Sequence, residues 1–506
     1  MQICSAGARP ISLRRLLPEA EFIGTDDIAV AAFSSDPRAV RRGELFIALP
    51  GVREGVRKSV AEATARGCGA ILAERSVEAC GRPVCCVPDV CDAYGRLCQA
   101  MAGNPAEHLK VIGVTGTSGT TTTSWLIAAI LATAGRSTGV VSSLGCFDGV
   151  GRAASPRTEA SPARLARWMS KMAANDCSHA VLELSGKAID RSILAGLSLD
   201  AACVTNVSLV LPRSIAAGGG CMPLRPQMLD YLAPEGFAVF NADDPGSAPY
   251  LAEVAVPALT ISMQAAAEIS GTFIERCPSE QTFLLTAGSE AMPVRTRMIG
   301  AGHVYNCLTA AAAGLAYGID LATVVRGLET VEQIPGRLER IECGQSFNVF
   351  VDGAQTAIAL DSALKTLREV VSGRLICVFG GDETLRGEDL RLLGRTLEAG
   401  ANLAVITGSG DNNEDDKAIA DEIIAGFQQP QAARRIADRG AAIAWALGHA
   451  RQGDCVLIAG KRHDARPGSD EAPEFDDRQA ARDWLYKELG GPSFGHRAVK
   501  RRGRGA

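Results

Sequence analysis

Aromatic residues are scarce in this chain: Phe, Trp and Tyr make up 5% of its 506 residues. That leaves too few rings for a platform that stacks single-stranded nucleic acid. Positive charge is not in excess either. With 52 basic against 57 acidic residues and a formal net charge of −5, a protein that coats nucleic acid is excluded. No apolar run reaches the about 18 residues needed to span a bilayer. The opening "MQICSAGARPISLRRLL" has no apolar stretch followed by a cleavage site, so no secretory signal is expected. Cysteine is plentiful, at 16 residues, but no Cys-x-x-Cys occurs, and a zinc site would need two paired ligand sets. Cys203 in "DAACVTN" and Cys377 in "LICVFGG" sit in apolar runs, where they act as small hydrophobes. Cys80, Cys85, Cys86, Cys91 and Cys98 are denser. A reduced, cytoplasmic protein is the expectation.

What is present is core-forming material. Hydrophobic residues are 47% and charged residues 22%, ordinary for a globular protein, and the length corresponds to about three domains. "ELFIALPG" (44–51), "AILAE" and "VCCVPDV" read as strands. "VRKSVAEATARGC" reads as a helix, and "CDAYGRLCQAMAGNP" as a helix stopped at Asn104-Pro105. "LKVIGVTGTSGTTTTSWLIAAILATAG" opens a second unit as strand, turn and long helix, followed by strands at "HAVLELS" (179–185), "DAACVTN" (200–206) and "FAVFNADDP" (237–245). A third begins near residue 333, with strands at 347–354, 374–381, 402–410 and 454–460. Near-continuous apolar strands separated by helices imply parallel sheets covered on both faces. The fold class is therefore α/β, with domains expected at 1–108, 109–332 and 333–490, and a basic disordered tail at 491–506. "EQIPGR" (332–337), with its Pro and Gly, is the candidate hinge.

The sharpest local signal is "VIGVTGTSGTTTT" (111–123), where a strand feeds a glycine-containing turn that opens a helix. That geometry aims backbone N–H groups at an anion, and the helix dipole adds to it. Phosphate loops of this kind end in Gly-Lys-Ser/Thr. Here Gly119 is followed by Thr120. The loop keeps the backbone cradle from Gly116 to Gly119 and a hydroxyl at Thr121 that can hold Mg²⁺, but lacks the cation. Read alone, it is equally an ordinary strand–turn–helix.

"KVIGVTGTSGTTTTSWLI" resembles the ATP-binding segment of the Mur ligases, T-G-T-N-G-K-T-T-T, and the resemblance runs from about residue 10 to 490. "RAVRRGELFIALPG" (38–51) resembles the family's R-x-V-x-P-G-D-L-F-x-A-L-P-G. "VLELSGKAI" resembles M-E-V-S-S-H-A-L, "VTNVS" resembles F-T-N-L-T, and "HVYNCLTAAAAG" resembles N-V-Y-N-x-L-A-A. "IPGRLERIECGQSFNVFVDGAQT" and "DCVLIAGKRHD" resemble V-P-G-R-F-E-R…V-D-Y-A-H-T and D-x-V-L-I-A-G-K-G-H-E. Together these resemble the MurE type. The resemblance implies a UDP-binding domain, an ATP-binding domain and a C-terminal Rossmann-like domain. It implies an ATP- and Mg²⁺-dependent amide ligase of peptidoglycan synthesis, acting on UDP-N-acetylmuramoyl-L-alanyl-D-glutamate and an amino acid, usually diaminopimelate or lysine. The carboxylate would be activated as an acyl phosphate, a transfer that depends on positioning and on cations.

By this resemblance Gly116, Thr117, Ser118, Gly119, Thr120, Thr121, Thr122, Asn306, Arg337 and Asp352 line the ATP site. Thr121 and Glu183 hold Mg²⁺. Arg38, Ser161, Ser185, Asn206, Lys461, His463 and Asp464 contact substrates. Taken singly, Asn306 also reads as a helix N-cap and Arg337 as a domain-interface salt bridge. The departures from the family fall on the chemistry. Thr120 replaces the loop lysine, and Val210 and Leu211 replace an Asp-His pair. Arg225 replaces a lysine that becomes carbamylated, and a guanidinium cannot take up CO₂ in that way. Ser185-Gly186-Lys187 replaces S-S-H, and Asp352-Gly353-Ala354-Gln355 replaces D-Y-A-H. Ser409-Gly410-Asp411-Asn412 replaces D-N-P-R. Asp36-Pro37-Arg38 replaces D-S-R. Arg225 and Lys187 are candidates to supply the missing cations, which makes them, with Glu183, the candidate catalytic residues. Two readings follow. One is a working ligase with altered ATP chemistry. The other is an inactive paralogue that binds or scaffolds a cell-wall enzyme partner.

Overall fold

The computed structural model describes residues 3–4, 10–50, 55–74, 77, 81–153, 161–184, 193–207, 227–381, 385–408, 416–461 and 475–488. Ser185, Lys187, Val210, Leu211, Arg225, His463, Asp464 and the basic tail lie outside the described residues. Three α/β sheets, of 6, 11 and 6 strands, account for most of what is described.

In the N-terminal sheet, strands Leu45–Ile47, Ala70–Ala73 and Val84–Cys86 pair in parallel, at the expected apolar runs. Helix α1 (Val90–Met101) follows, and the Asp89 carboxylate caps it by accepting from Cys91 and Asp92 N–H. Burial pushes the thiols of Cys85 and Cys98 up to about 12. They are buried as free thiols and serve as apolar core.

The central sheet is built on β1 (Lys110–Thr115), followed by α2 (Thr120–Thr133), β2 (Thr138–Ser142), α3 (Pro162–Ala174), β3 (His179–Leu184), β4 (Leu199–Val204), β5 (Leu232–Asn241), β6 (Ala258–Ser262) and β7 (Ile269–Arg276). These strands lie in the order β2-β3-β1-β4-β5-β6-β7, all parallel. The expectation of a parallel sheet needs correction at both edges. Gly145–Phe147 and Arg152–Ala153 add antiparallel strands on one side, and Gln281–Ala287 and Glu290–Thr296 on the other. The outermost of these, Glu290–Thr296, keeps most of its residues exposed, and Gln281–Ala287 beside it alternates buried with partly buried positions. Such strands carry no continuous apolar run, which is why none was expected there.

Helix α3 serves two cores. Ala163 and Ala166 pack into the N-terminal core with Leu97 and Met101, whereas Leu165, Met169 and Met172 pack under the central sheet with Leu182 and Leu199. Helix α4 (Ala301–Ala316) lies against α2, and its Val304, Leu308 and Ala311 join Ile127 and Ile130 in one cluster.

The C-terminal sheet contains β8 (Asn348–Asp352), β9 (Leu375–Gly380), β10 (Leu403–Thr407), β11 (Ala433–Arg435) and β12 (Cys455–Ala459). They run parallel in the order β8-β12-β9-β10-β11. Helices α5 (Ala357–Val370), α6 (Glu388–Gly400) and α7 (Asp416–Ile424) cover one face through Leu364, Leu393 and Ile419. Helices α8 (Arg439–His449) and α9 (Asp477–Glu488) cover the other through Ile443, Leu447 and Leu485. Apolar strands between two helical layers explain why these strands read clearly from sequence. Among the described residues no helix is long and apolar enough to cross a membrane.

Candidate active site

The site begins where β1 ends. Thr115 anchors the turn, its Oγ1 donating to Leu184 O at 2.9 Å. Gly119 sits at the N-terminus of α2 with φ 80°, and a Cβ there would run into Asn306 Oδ1. Only glycine meets both conditions without strain. The first-turn N–H groups of α2 have no intrahelical acceptor, so this end of the helix offers donors suited to an anion.

Asn206 braces the loop from behind. Its Oδ1 accepts from Thr117 N–H at 2.8 Å, from Ser118 N–H at 3.2 Å and from the Thr117 hydroxyl. Its Nδ2 donates to Ser118 O and Oγ, both at 3.0 Å. The neighbouring Thr205 donates to Ser118 O at 2.7 Å. Asn206 thus holds the loop's shape.

In front of the loop, hydroxyls gather on one carboxylate. Thr121 Oγ1 donates to Glu183 Oε1 at 2.6 Å and Thr120 Oγ1 at 3.1 Å. Ser143 donates its N–H to Glu183 Oε2 at 2.7 Å and its hydroxyl to Oε1 at 3.3 Å. Thr120, standing where a lysine was expected, therefore contributes a neutral donor to Glu183. Thr122 is buried. Ser143 and Thr205 were missed by the sequence reading. The register that sets Val141 beside Leu182 carries the turn after β2 alongside Glu183, and no local motif signals that.

Arg337 arrives from beyond the central sheet. Its Nη2 donates to Thr121 Oγ1 at 3.3 Å and its Nη1 to Gly336 O at 3.3 Å. Its guanidinium lies over the backbone of Gly353, where a Cβ would be 2.7 Å from Nη1. The Arg337 turn is fixed by Asp352, which accepts from Leu338 N–H at 2.7 Å and Ala354 N–H at 2.8 Å. The interface reading of Arg337 is thus correct in place and wrong in partner, since it meets a hydroxyl at Thr121. The N-cap reading of Asn306 fails: it lies within α4, with Oδ1 accepting from Thr123 Oγ1 at 3.3 Å. One residue earlier, Tyr305 donates to Asp243 at 2.8 Å. Burial opposes ionisation of Asp243, but bonds from Met263 N–H, Ser262 and Tyr305 outweigh it and hold its carboxyl below the usual range.

Of the remaining expected residues, Lys461 lies beside the Arg337 turn, its carbonyl close to Gly353. Arg38 is exposed, its N–H donating to Asp36 at 2.9 Å. Ser161 caps α3, its side chain accepting from Arg164 N–H. Lys461 is buried at the end of β12, with Nζ 5.9 Å from the Phe475 ring centre.

This set fits a nucleotide and a hard cation. Thr121 Oγ1, Ser143 Oγ and Glu183 Oε1 converge within 2.6–3.3 Å of one another, an all-oxygen set of the kind Mg²⁺ takes. The glycine turn and helix N-terminus beside it suit phosphate. Among the described residues no cluster of three or more His, Cys, Asp or Glu side chains competes as a metal site.

Comparison with known proteins places this arrangement. Residues 114–314 match the Mur ligase middle domain, and residues 336–462 match the glutamate ligase domain of Mur ligases. A UDP-N-acetylmuramoyl-L-alanyl-D-glutamate–2,6-diaminopimelate ligase from Geobacillus thermodenitrificans is 32% identical over 464 residues, covering 90% of this chain and 94% of that one. A solved structure of a ligase with the same name superposes with a TM-score of 0.66 at 25% identity, over 95% of this chain and 99% of that one. The MurF ligase of Thermotoga maritima, solved in complex with ADP, shares the fold with a TM-score of 0.59 at 18% identity, over 90% and 97%. The chain belongs to the Mur ligase family. The Geobacillus relative and the first of these solved structures are of the MurE type.

Proposed function

We propose that the chain is an ATP-dependent amide ligase of the MurE type, which adds one amino acid to UDP-N-acetylmuramoyl-L-alanyl-D-glutamate in peptidoglycan synthesis. The observation that carries this reading is the convergence of Thr121, Glu183 and Ser143 beside a bare helix N-terminus, with Arg337 reaching in from the C-terminal side. When bound, ATP would supply the phosphoryl group that activates the substrate carboxylate, and Mg²⁺ held by Thr121 and Glu183 would neutralise charge on the phosphates. The chain's own residues do the positioning. The N–H groups of the first turn of α2 receive phosphate oxygens. Asn206 keeps the loop in the shape that aims them, Thr121 and Glu183 offer oxygens to the cation, and Arg337 brings a guanidinium to the same spot. Transfer of this kind rests on positioning and charge compensation.

In this reading residues 1–108 hold the UDP moiety, 109–332 the nucleotide and 333–490 the incoming amino acid. A second reading, an inactive paralogue that keeps ligand affinity and scaffolds a cell-wall enzyme, is favoured by Thr120. It spends a neutral hydroxyl on Glu183 where a lysine would bring a positive charge.

The two separate in one experiment. The purified chain is titrated with MgATP by calorimetry, then assayed for ADP release with UDP-muramoyl-dipeptide and either 2,6-diaminopimelate or lysine. Turnover that needs both substrates supports the ligase. Nucleotide binding without turnover supports the paralogue, and no binding at all sinks both.

A further inference from the structure

Gln281 is polar yet only 1% exposed, and a buried amide needs partners for both its donor and its acceptor. Here both groups go to one residue. Oε1 accepts from Gly300 N–H at 2.8 Å, and Nε2 donates to Gly300 O at 3.2 Å. Gly300 O also accepts from His303 N–H at 3.1 Å and Val304 N–H at 3.3 Å, the bonds that open α4. The strand ladder fixes Gln281 itself, which stands opposite Arg276 on one side and Thr296 on the other. Thr296 Oγ1 accepts in turn from Met298 N–H at 3.2 Å. The turn from Met298 to Gly300 is therefore tied at two points to the edge of the central sheet.

The other side of this turn meets a helix of the C-terminal sheet. Ile299, 4% exposed, joins Ala363 and Leu367 of α5 in the C-terminal core. Gly300 lies close on the same helix with φ 97°, and a Cβ there would run into Thr366 Cγ2. At the rim Arg276 Nη1 meets Glu369 Oε2 at 2.7 Å. That pair is solvent-exposed and contributes little, so the apolar contact and the amide clamp carry the join. The same turn starts the helix that reaches the phosphate loop. At about 1.5 Å of rise per residue, Asn306 lies about 9 Å beyond Gly300 along α4. There its Oδ1 accepts from Thr123 Oγ1 and stands against Gly119. Helix α4 thus has its start wedged against α5 and its second turn at the candidate nucleotide site.

We propose that Gln281 is a positioning residue for nucleotide binding: it pins the Ile299–Gly300 turn between α4 and α5, so that the seating of α5 sets the place of Asn306 against the phosphate loop. The assignment rests on the nucleotide site proposed above. Gln281, Ile299 and Thr366 touch no reactant and act through α4. Because the same turn is shared, the coupling is reciprocal: a nucleotide that favours the seated Asn306 also favours the seated α5.

The test uses the full chain and three variants. Gln281→Met keeps the length of the side chain and removes both bonds to Gly300. Thr366→Leu adds bulk from the α5 side, where Gly300 leaves no room. Ile443→Ala, on the opposite face of the C-terminal sheet, is the control for lost stability alone. In calorimetry the Kd for MgATP is expected to rise about fivefold or more in the first two variants and to stay within about twofold in the control. In amide hydrogen exchange, MgATP is expected to slow peptides covering 360–370 at least about threefold in the unmodified chain and in the control. In the first two variants it should slow only those covering 116–123. Parent-like affinity in either variant overturns the proposal, as does an equal loss in Ile443→Ala. Should Gln281→Met fail to fold, Thr366→Leu decides alone. If the unmodified chain binds no MgATP, the nucleotide reading itself falls, and this proposal with it, before any variant is compared.

Discussion

Arg337 Nη2 donates to Thr121 Oγ1 at 3.3 Å across 216 residues of sequence. The same Thr121 oxygen donates onward to Glu183 Oε1 at 2.6 Å. One hydroxyl therefore joins a cation from beyond the central sheet to the carboxylate at the end of β3, directly at the helix N-terminus that suits phosphate.

Thr120→Lys should tighten MgATP binding by about tenfold or more, because a charge-assisted bond to phosphate is worth roughly 1.5–3 kcal/mol. Calorimetry on both proteins measures it. Equal affinity would mean that Arg337 already satisfies the phosphates.

Glu183→Gln keeps the shape of the side chain but removes its charge. Mg²⁺-dependent nucleotide affinity is expected to fall about tenfold or more, while binding measured without the metal changes little. A variant that binds MgATP like the parent would remove Glu183 from the metal site.

Gly119→Ala forces a side chain into left-handed backbone and against Asn306. A loss of about 1–2 kcal/mol in stability is expected, with nucleotide binding falling further than stability does. Thermal denaturation and calorimetry on the same preparation separate the two effects.

Acid should weaken the fold. His303 is buried, and burial lowers its pKa from 6.5 to about 3. Burial first, then Arg136, lowers that of His179 to about 4. The unfolded chain takes up protons near pH 6.5 that the folded chain refuses. Stability is therefore intact above about pH 6.5 and declines as pH falls toward about 4, by at most about 1.4 kcal/mol per pH unit for each group. Urea midpoints at pH 7, 6 and 5 should fall in that order, and less steeply in His303→Gln. A flat profile would contradict the burial of these rings.

The legible parts of this molecule were the local ones. The turn from Gly116 to Gly119 could be read because strand, glycine and helix follow each other in sequence. The C-terminal strands could be read because both of their faces are buried. Ser143 and Thr205 could not, because strand register, which no local pattern records, brings them to Glu183 and Ser118. Asn306 misled for a related reason. Its position beside Gly119 follows from how α4 packs on α2, not from the start of a helix.

Helix α3 carries a mechanical consequence. Since Ala163 and Ala166 are embedded in one core while Leu165 and Met169 are embedded in the next, swinging the N-terminal sheet away would expose apolar surface on one side of a single helix. Helix α3 therefore resists separation of the first two sheets, since prying them apart would strip Ala163 and Ala166 of their buried contacts.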